Sequence, residues 1–370
     1  MQEEIKISRR QAILLVLFAH IATTINFIPS ALLAFLTQDA WITIVLGAIL
    51  SIMFAYFPVA DLGTRFPGQS LVQLSEKFLG KVLGKLLGLI IVYYLFIFHC
   101  WTLRAFGELM VAVTPGIPIW IFIVGLSLTT LYAVKSGLEV IGRCGEWLFP
   151  IGLLSLMVIA VFNFPNIDFA NLLPVIENKL APMIGASLLS MEWITTSSLA
   201  LGIIMSSVKQ SEDLKKIVII GVGLGCFILT GFSIINIAVF GPEFIRIENF
   251  QLLILAQYGE VTTVFRRFES VIIILWVTWM FMRASIFSYS AVKGLIDLLN
   301  IQDYRFLVIP ETILAVAYSI YMYDSLQEMN DLFNLSIYYL LSTAGIPTFL
   351  WLVGVFRLKF GKLKPVKKGY

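Results

Sequence analysis

The chain has 370 residues, of which 59% are hydrophobic and 13% charged, with a formal net charge of +3 and a mean hydropathy of +0.92. A soluble chain carries about a quarter of its residues as charges, so these proportions exclude a soluble globule and describe a polytopic membrane protein coated by lipid. The net charge is too small to indicate nucleic-acid binding, and Cys100, Cys144 and Cys226 have no metal-like spacing and give no disulfide framework.

The first apolar run, near 11–36, is too long for a signal peptide, lacks a small-residue cleavage site, and reads as the first span. Further runs predict spans near 41–60, 84–110, 117–134, 147–163, 181–206, 214–240, 268–294, 305–323 and 333–356, ten in all. Two connecting segments, SLVQLSEKFLGKVLG (70–84) and ENFQLLILAQYGEV (248–261), read as amphipathic helices lying at the membrane interface. With the N-terminus placed inside, 20 of the 26 Lys and Arg fall in cytoplasmic segments. Lys179, Arg246, Arg266 and Arg267 fall outside, and Arg104 and Arg283 lie within spans. That asymmetry puts both termini in the cytoplasm.

Spans 1 and 6 interrupt their own apolar pattern in mid-membrane, with HIATTINFIPS (20–30) and SMEWITTSS (190–198). Five spans apart, they run in opposite directions, which points to a five-plus-five inverted repeat with two broken helices and a ligand site at the midplane. The first repeat covers about 11–163 and the second about 181–356, within one transmembrane domain, 1–370. In span 1, Thr23, Thr24 and Asn26 precede Pro29, which offers no amide hydrogen to the Ile25 carbonyl. Free carbonyls and half-helix N-termini suit a small zwitterion. In span 6, Glu192 either contacts such a ligand or pins the broken helix, and Thr195, Thr196, Ser197 and Ser198 either line the site or bond back to their own helix.

Span 8 carries Trp276, Trp279, Met280, Arg283, Phe287 and Ser290 three or four apart, on one face. Arg283 cannot deprotonate and is expected to face inward, paired with Glu192 or with a ligand carboxylate. In span 3, Tyr93 walls the site, whereas Arg104 and Glu108 form an i,i+4 ion pair. His20 and His99 read as satisfied buried histidines. No phosphate loop, nucleotide fingerprint, zinc spacing or activated nucleophile is present in the sequence, so it reads as a binding protein without a cofactor rather than an enzyme.

Five segments resemble the spore permease branch of the amino acid–polyamine–cation superfamily, the B subunits of bacterial spore germinant receptors. They are FPGQSLVQLSEKFLGKVLGKLLG (66–88), TLRAFGELM (102–110), NLLPV (171–175), SMEW (190–193) and FESVIIILW (268–276). The resemblance implies an all-α, LeuT-like fold of ten helices and a sensor of amino acids or similar small nutrients in the inner spore membrane, acting with A-type and lipoprotein C-type subunits. It also implies an unwound stretch at Thr23 to Asn26, a helix-3 tyrosine at Tyr93 or Tyr94, the helix-6 Glu at Glu192 and a wall around Met282 and Arg283. Relatives commonly carry glycine in the helix-1 break, and ATTINFIP has none. The competing readings are a proton-coupled amino acid symporter of the same fold and a membrane scaffold that binds only partner subunits.

Overall fold

The computed structural model describes residues 6–33, 36–248, 250–258, 269–324, 328 and 340–360, and among them the regular structure is helical. Helix α1 spans Arg9–Leu33 and α2 Ala40–Phe54; a π-helical turn at Ala55–Ala60 leads from α2 into the short α3, Asp61–Arg65. Then follow α4 (Leu71–Leu79), α5 (Lys81–Val113), α6 (Ile119–Ser136) and α7 (Leu138–Asn163). The second half holds α8 (Leu180–Ile204), α9 (Leu214–Phe240), the short α10 (Pro242–Ile247) and α11 (Gln251–Tyr258), α12 (Glu269–Leu299) and α13 (Arg305–Tyr321). A second π turn, Leu341–Gly345, leads into α14 (Ile346–Lys359).

Nine helical rods among the described residues are long and apolar enough to cross a membrane. The ninth expected span is α13, whose 17 residues reach about 25 Å at 1.5 Å per residue. Residue 268, at the start of the expected eighth span, residues 333–339, which open the tenth, and the cationic run from 361 lie outside the described residues, as do Arg266 and Arg267.

Burial ranks the spans. The most apolar windows of α1 and α8 are 94% and 89% buried, against 33% for α6 and 28% for α7, so α1 and α8 form the axis and α6 and α7 turn most of their surface outward. Ile7 N donates to the Ser207 carbonyl at 2.8 Å, Lys209 N donates to the Ile7 carbonyl at 3.1 Å, and Arg9 lies 3.5 Å from Asp213. These contacts gather the start of α1, the end of α8 and the start of α9 at one face, so α8 runs antiparallel to α1 and α9 parallel to it. Helices in lipid associate by close van der Waals packing over small residues. Here Gly47 lets α2 approach the backbone of α8 at Ser190 and Met191, and Gly225 of α9 accepts the His20 ring of α1. At the same face the Asp61 carboxylate receives Arg65 Nε at 2.7 Å and Trp351 Nε1 at 2.8 Å, with Lys215 Nζ 3.5 Å away, which joins α3, α9 and α14.

Two connecting helices differ from expectation. The stretch 70–84 is not one interfacial helix: it stops at Gly80 (φ +83), where α5 begins, and α4 buries Leu71, Leu74 and Phe78 within the protein. A capping box at Ser70 and Gln73 starts α4, and both side chains also bond Asp297 of α12, which anchors it inward. Likewise α11 buries Gln251, Leu252, Leu253 and Leu255 over the bundle end instead of resting in headgroups. Its Leu252 amide donates to Asn26 Oδ1 at 3.3 Å, and its Leu255 carbonyl accepts from Asn163 Nδ2 at 2.8 Å.

Asp39, ahead of α2, ties down the loop before α8. Its carboxylate accepts from the amides of Ile176 (2.7 Å), Glu177 (2.8 Å) and Asn178 (3.2 Å), and from Asn178 Nδ2 at 2.9 Å. Burial works against the charge, but the Asn178, Ile176 and Glu177 bonds outweigh it and hold the carboxyl below the usual carboxylate range. The bonds are therefore complete above the ordinary carboxylate pKa of about 4 and are lost as pH falls through the depressed value. Asp39→Asn, which turns one acceptor into a donor facing amides, lowers the melting temperature at pH 7 by about 2–5 °C. Melting curves across pH then show a smaller acid-induced loss in the variant than in the parent.

Candidate functional site

Between α5, α8 and α12 lies a cavity of about 30 Å³, lined by Ile97, Phe98, Trp101, Glu192, Trp193, Thr196 and Arg283. Two of the helices contribute residues one turn apart, 97 and 101 on α5 and 192 and 196 on α8, and α12 contributes Arg283. The volume suits about two waters. Its end away from the N-terminal face is closed by rings. Phe27 of α1 lies 5.6 Å from Trp101 and 6.3 Å from Trp193, and Phe250 lies 6.3 Å from Phe27. Directly behind Phe250, α11 completes the cover.

Arg283 is 2% exposed and is bonded through two of its nitrogens. Its Nη1 donates to the Ala19 carbonyl of α1, its Nε donates to Thr102 Oγ1 at 3.2 Å, and its guanidinium sits 4.8 Å from the Phe287 ring centre. Glu192 faces the same space with Oε2 unbonded among the described residues. No ion pair joins the two among the described residues, so of the two partners expected for Arg283 the structure does not supply Glu192. A backbone carbonyl, invisible in a residue pattern, has taken the guanidinium instead.

The expected interruptions of α1 and α8 are also absent: both run as α-helix through their polar stretches. The hydroxyls explain why. Thr24 Oγ1 donates to the His20 carbonyl at 2.7 Å, Thr195 Oγ1 to Glu192 O at 2.9 Å, Thr196 Oγ1 to Trp193 O at 2.8 Å and Ser197 Oγ to Ile194 O at 2.8 Å. Satisfied within their own helix, these side chains need no unwound backbone.

Of the residues singled out from sequence, the structure brings Glu192, Thr196 and Arg283 together at the cavity. Thr23, Thr24, Ile25 and Asn26 are buried on α1 without lining it, and Asn26 serves α11 instead. Thr195 reaches Thr343 of the second π turn at 2.9 Å, and Ser197 stays bonded to its own helix. Trp279 is buried against Gly152 and Phe18, and Met282 against Gly145. Tyr93 is 53% exposed. It lies in line with Ile97 but one turn nearer the N-terminal face, where it interacts with Tyr318 of α13 and does not line the cavity. Sequence reading missed Trp193 and Phe98 as walls, and the signal for Trp193 was its adjacency to Glu192. The i,i+4 pair Arg104–Glu108 is present at 2.7 Å, and Arg104 also donates to the Ser319 and Ile320 carbonyls of α13.

Residues 6–327 match the family model described as spore germination protein. Spore germination protein YndE of Bacillus subtilis (strain 168) is 26% identical over 78% of this chain and 80% of its own length. Spore germination protein KB of the same organism is 24% identical over 96% of each chain, and spore germination protein B2 is 21% identical over 98% of each. Two solved transporters share the fold. One is Mhp1, a nucleobase-cation-symport-1 family transporter in a closed conformation with bromovinylhydantoin bound (TM-score 0.69, 12% identity, 96% of this chain and 79% of that one). The other is MhsT in complex with L-phenylalanine (TM-score 0.71, 14% identity, 97% and 90%). Both neighbours have the LeuT fold, and so does this chain.

The unequal bonding of the two cavity charges sets an order of stability. Arg283→Lys forfeits one of the two separate bonds to Ala19 and Thr102 and costs about 1.5–3 kcal/mol, whereas Glu192→Gln removes no bonded partner of Oε2 and leaves the melting temperature unchanged or higher. Thermal melts of both variants in detergent check this order, and the reverse order would make Glu192 the structural anchor.

Proposed function

The chain belongs to the spore germination protein family, and from that premise we propose that it is the nutrient-sensing subunit of a spore germination receptor. It holds an amino acid or similar small nutrient between α5, α8 and α12 and passes the signal to A-type and lipoprotein C-type partner subunits. It does so as a multi-pass protein of the inner spore membrane with both termini on the core side, the side to which Lys and Arg crowd.

The observation that carries this reading is the cavity's chemistry. A carboxylate with an unbonded oxygen and a fixed guanidinium face one small space walled by two tryptophans. Opposite charges across an apolar gap match the ammonium and carboxylate of a zwitterion, and burial strengthens both contacts. At about 30 Å³ the space is smaller than an amino acid. Binding therefore requires the wall to move, and a wall that moves on binding is what a receptor uses to signal. The unbonded Glu192 oxygen also favours a second reading, a proton-coupled symporter in which that carboxyl carries the proton.

Purified protein in lipid nanodiscs, screened with the common L-amino acids by thermal shift, is expected to show saturable stabilisation by a subset of them. Thr196→Val and Glu192→Gln weaken it at least tenfold while leaving the unliganded melting temperature within about 2 °C. Counterflow of the stabilising amino acid in proteoliposomes separates the two readings: binding without uptake supports the sensor, and proton-dependent uptake the symporter.

A further inference from the structure

Next to Phe98, on α5, His99 is fully buried, and its ring turns from the cavity towards α13. Its Nδ1 lies 2.6 Å from Glu311 Oε1, and Ser288 of α12 donates to Glu311 Oε2 at 2.8 Å. The Glu311 side chain is 10% exposed. His99 Nε2, with no exposed surface, has no hydrogen-bond partner among the described residues. Three helices thus converge on a histidine–carboxylate pair at the depth of the cavity.

The proton count of this pair has two states. With a neutral imidazole donating through Nδ1 to the carboxylate, Nε2 is bare and the pair carries one net negative charge. One proton added at Nε2 makes the pair neutral, as imidazolium with carboxylate or, if the proton in the 2.6 Å bond moves to Oε1, as imidazole with carboxylic acid. Within a membrane an uncompensated charge is far costlier than a neutral pair, so the two states differ in how tightly α13 holds to α5 and α12.

Both halves of the pair adjoin the cavity wall. Phe98, the neighbour of His99, lines the cavity, and its ring centre lies 5.4 Å from that of Phe287, the neighbour of Ser288, with the rings tilted at 49°. Phe287 in turn lies under the Arg283 guanidinium. We propose that His99, Glu311 and Ser288 form a proton-binding site outside the ligand cavity, which takes up one proton at His99 Nε2 and transmits its charge state to the wall through Phe98, Phe287 and Arg283.

Other titratable groups on the packed elements leave the role to this pair. On α5, Cys100 faces Glu311, while Arg104 is committed to Glu108 and two α13 carbonyls; on α13, Tyr318 interacts with Tyr93 and Cys100. From α12, Arg283 is committed to α1 and α5, and from α8, Glu192 opens onto the cavity. In α6 the titratable side chains are Tyr132, 75% exposed, and Lys135 in its last turn, and α4 carries Glu76 and Lys77 at the N-terminal face.

The test needs no nutrient, so its outcome is separate from that of the receptor reading. The chain has two histidines, and ring-nitrogen NMR of isotope-labelled histidine in nanodiscs, with His20→Gln for assignment, follows His99 alone. On acidification His99 is expected to pass from bare to protonated Nε2, and tryptophan emission, to which Trp101 and Trp193 contribute, shifts with the same midpoint. Glu311→Gln removes the opposing charge and moves both signals about one pH unit or more to lower pH. Ser288→Ala keeps both titrating groups, removes a bond that favours the carboxylate, and moves both signals to higher pH. The proposal is overturned if Nε2 keeps one protonation state throughout the folded range, if tryptophan emission is unmoved while His99 titrates, or if the two variants shift the midpoint in the same direction.

Discussion

A guanidinium cannot shed its charge, so a chain that buries one in a membrane must build around it. Arg283 is the fixed point of this bundle. It takes a carbonyl from α1, a hydroxyl from α5 and an aromatic face from its own helix, and so locks three helices at the edge of the cavity. Arg283 and Glu192 both line that cavity without pairing with each other among the described residues. The Asp61 cluster does the same for α3, α9 and α14 at the N-terminal face, with a carboxylate as the fixed charge.

Lipid offers no hydrogen bonds, and Thr24, Thr195, Thr196 and Ser197 answer that by bonding back to carbonyls of their own helices. In the binding proposed above, recognition falls to side chains converging from three rods. Side chains reposition more readily than backbone, which suits the enlargement that this proposed binding requires, and the ring cluster of Phe27, Trp101, Trp193 and Phe250 closes one end of the cavity.

Much of the fold is legible in the sequence because the bilayer imposes it: long apolar runs and the local pair Arg104–Glu108 depend on neighbours in the chain. Family membership is equally legible in short ordered motifs such as SMEW. The site is only partly so. Glu192 and Arg283 were conspicuous as charges in lipid, but their separation was set by the Ala19 carbonyl, which any residue would supply. Hydroxyl runs read as breaks because sequence does not distinguish a Thr that leaves its helix from one that bonds back into it. Glu311 passed unnoticed in a short span because its partner stands 212 positions away, and nothing local marks such a meeting.

The three cysteines, of no use as a framework, acquire a practical meaning from their placement. Cys100 and Cys226 are buried, while Cys144 is partly open, one residue from Gly145, which packs on Met282 beside Arg283. The native chain is thus close to a single-thiol protein. A small maleimide dye would attach at the outer surface of α7 and view, across one layer of packing, the helix that carries the cavity's cation, so movement of that wall could be watched by fluorescence without altering any residue.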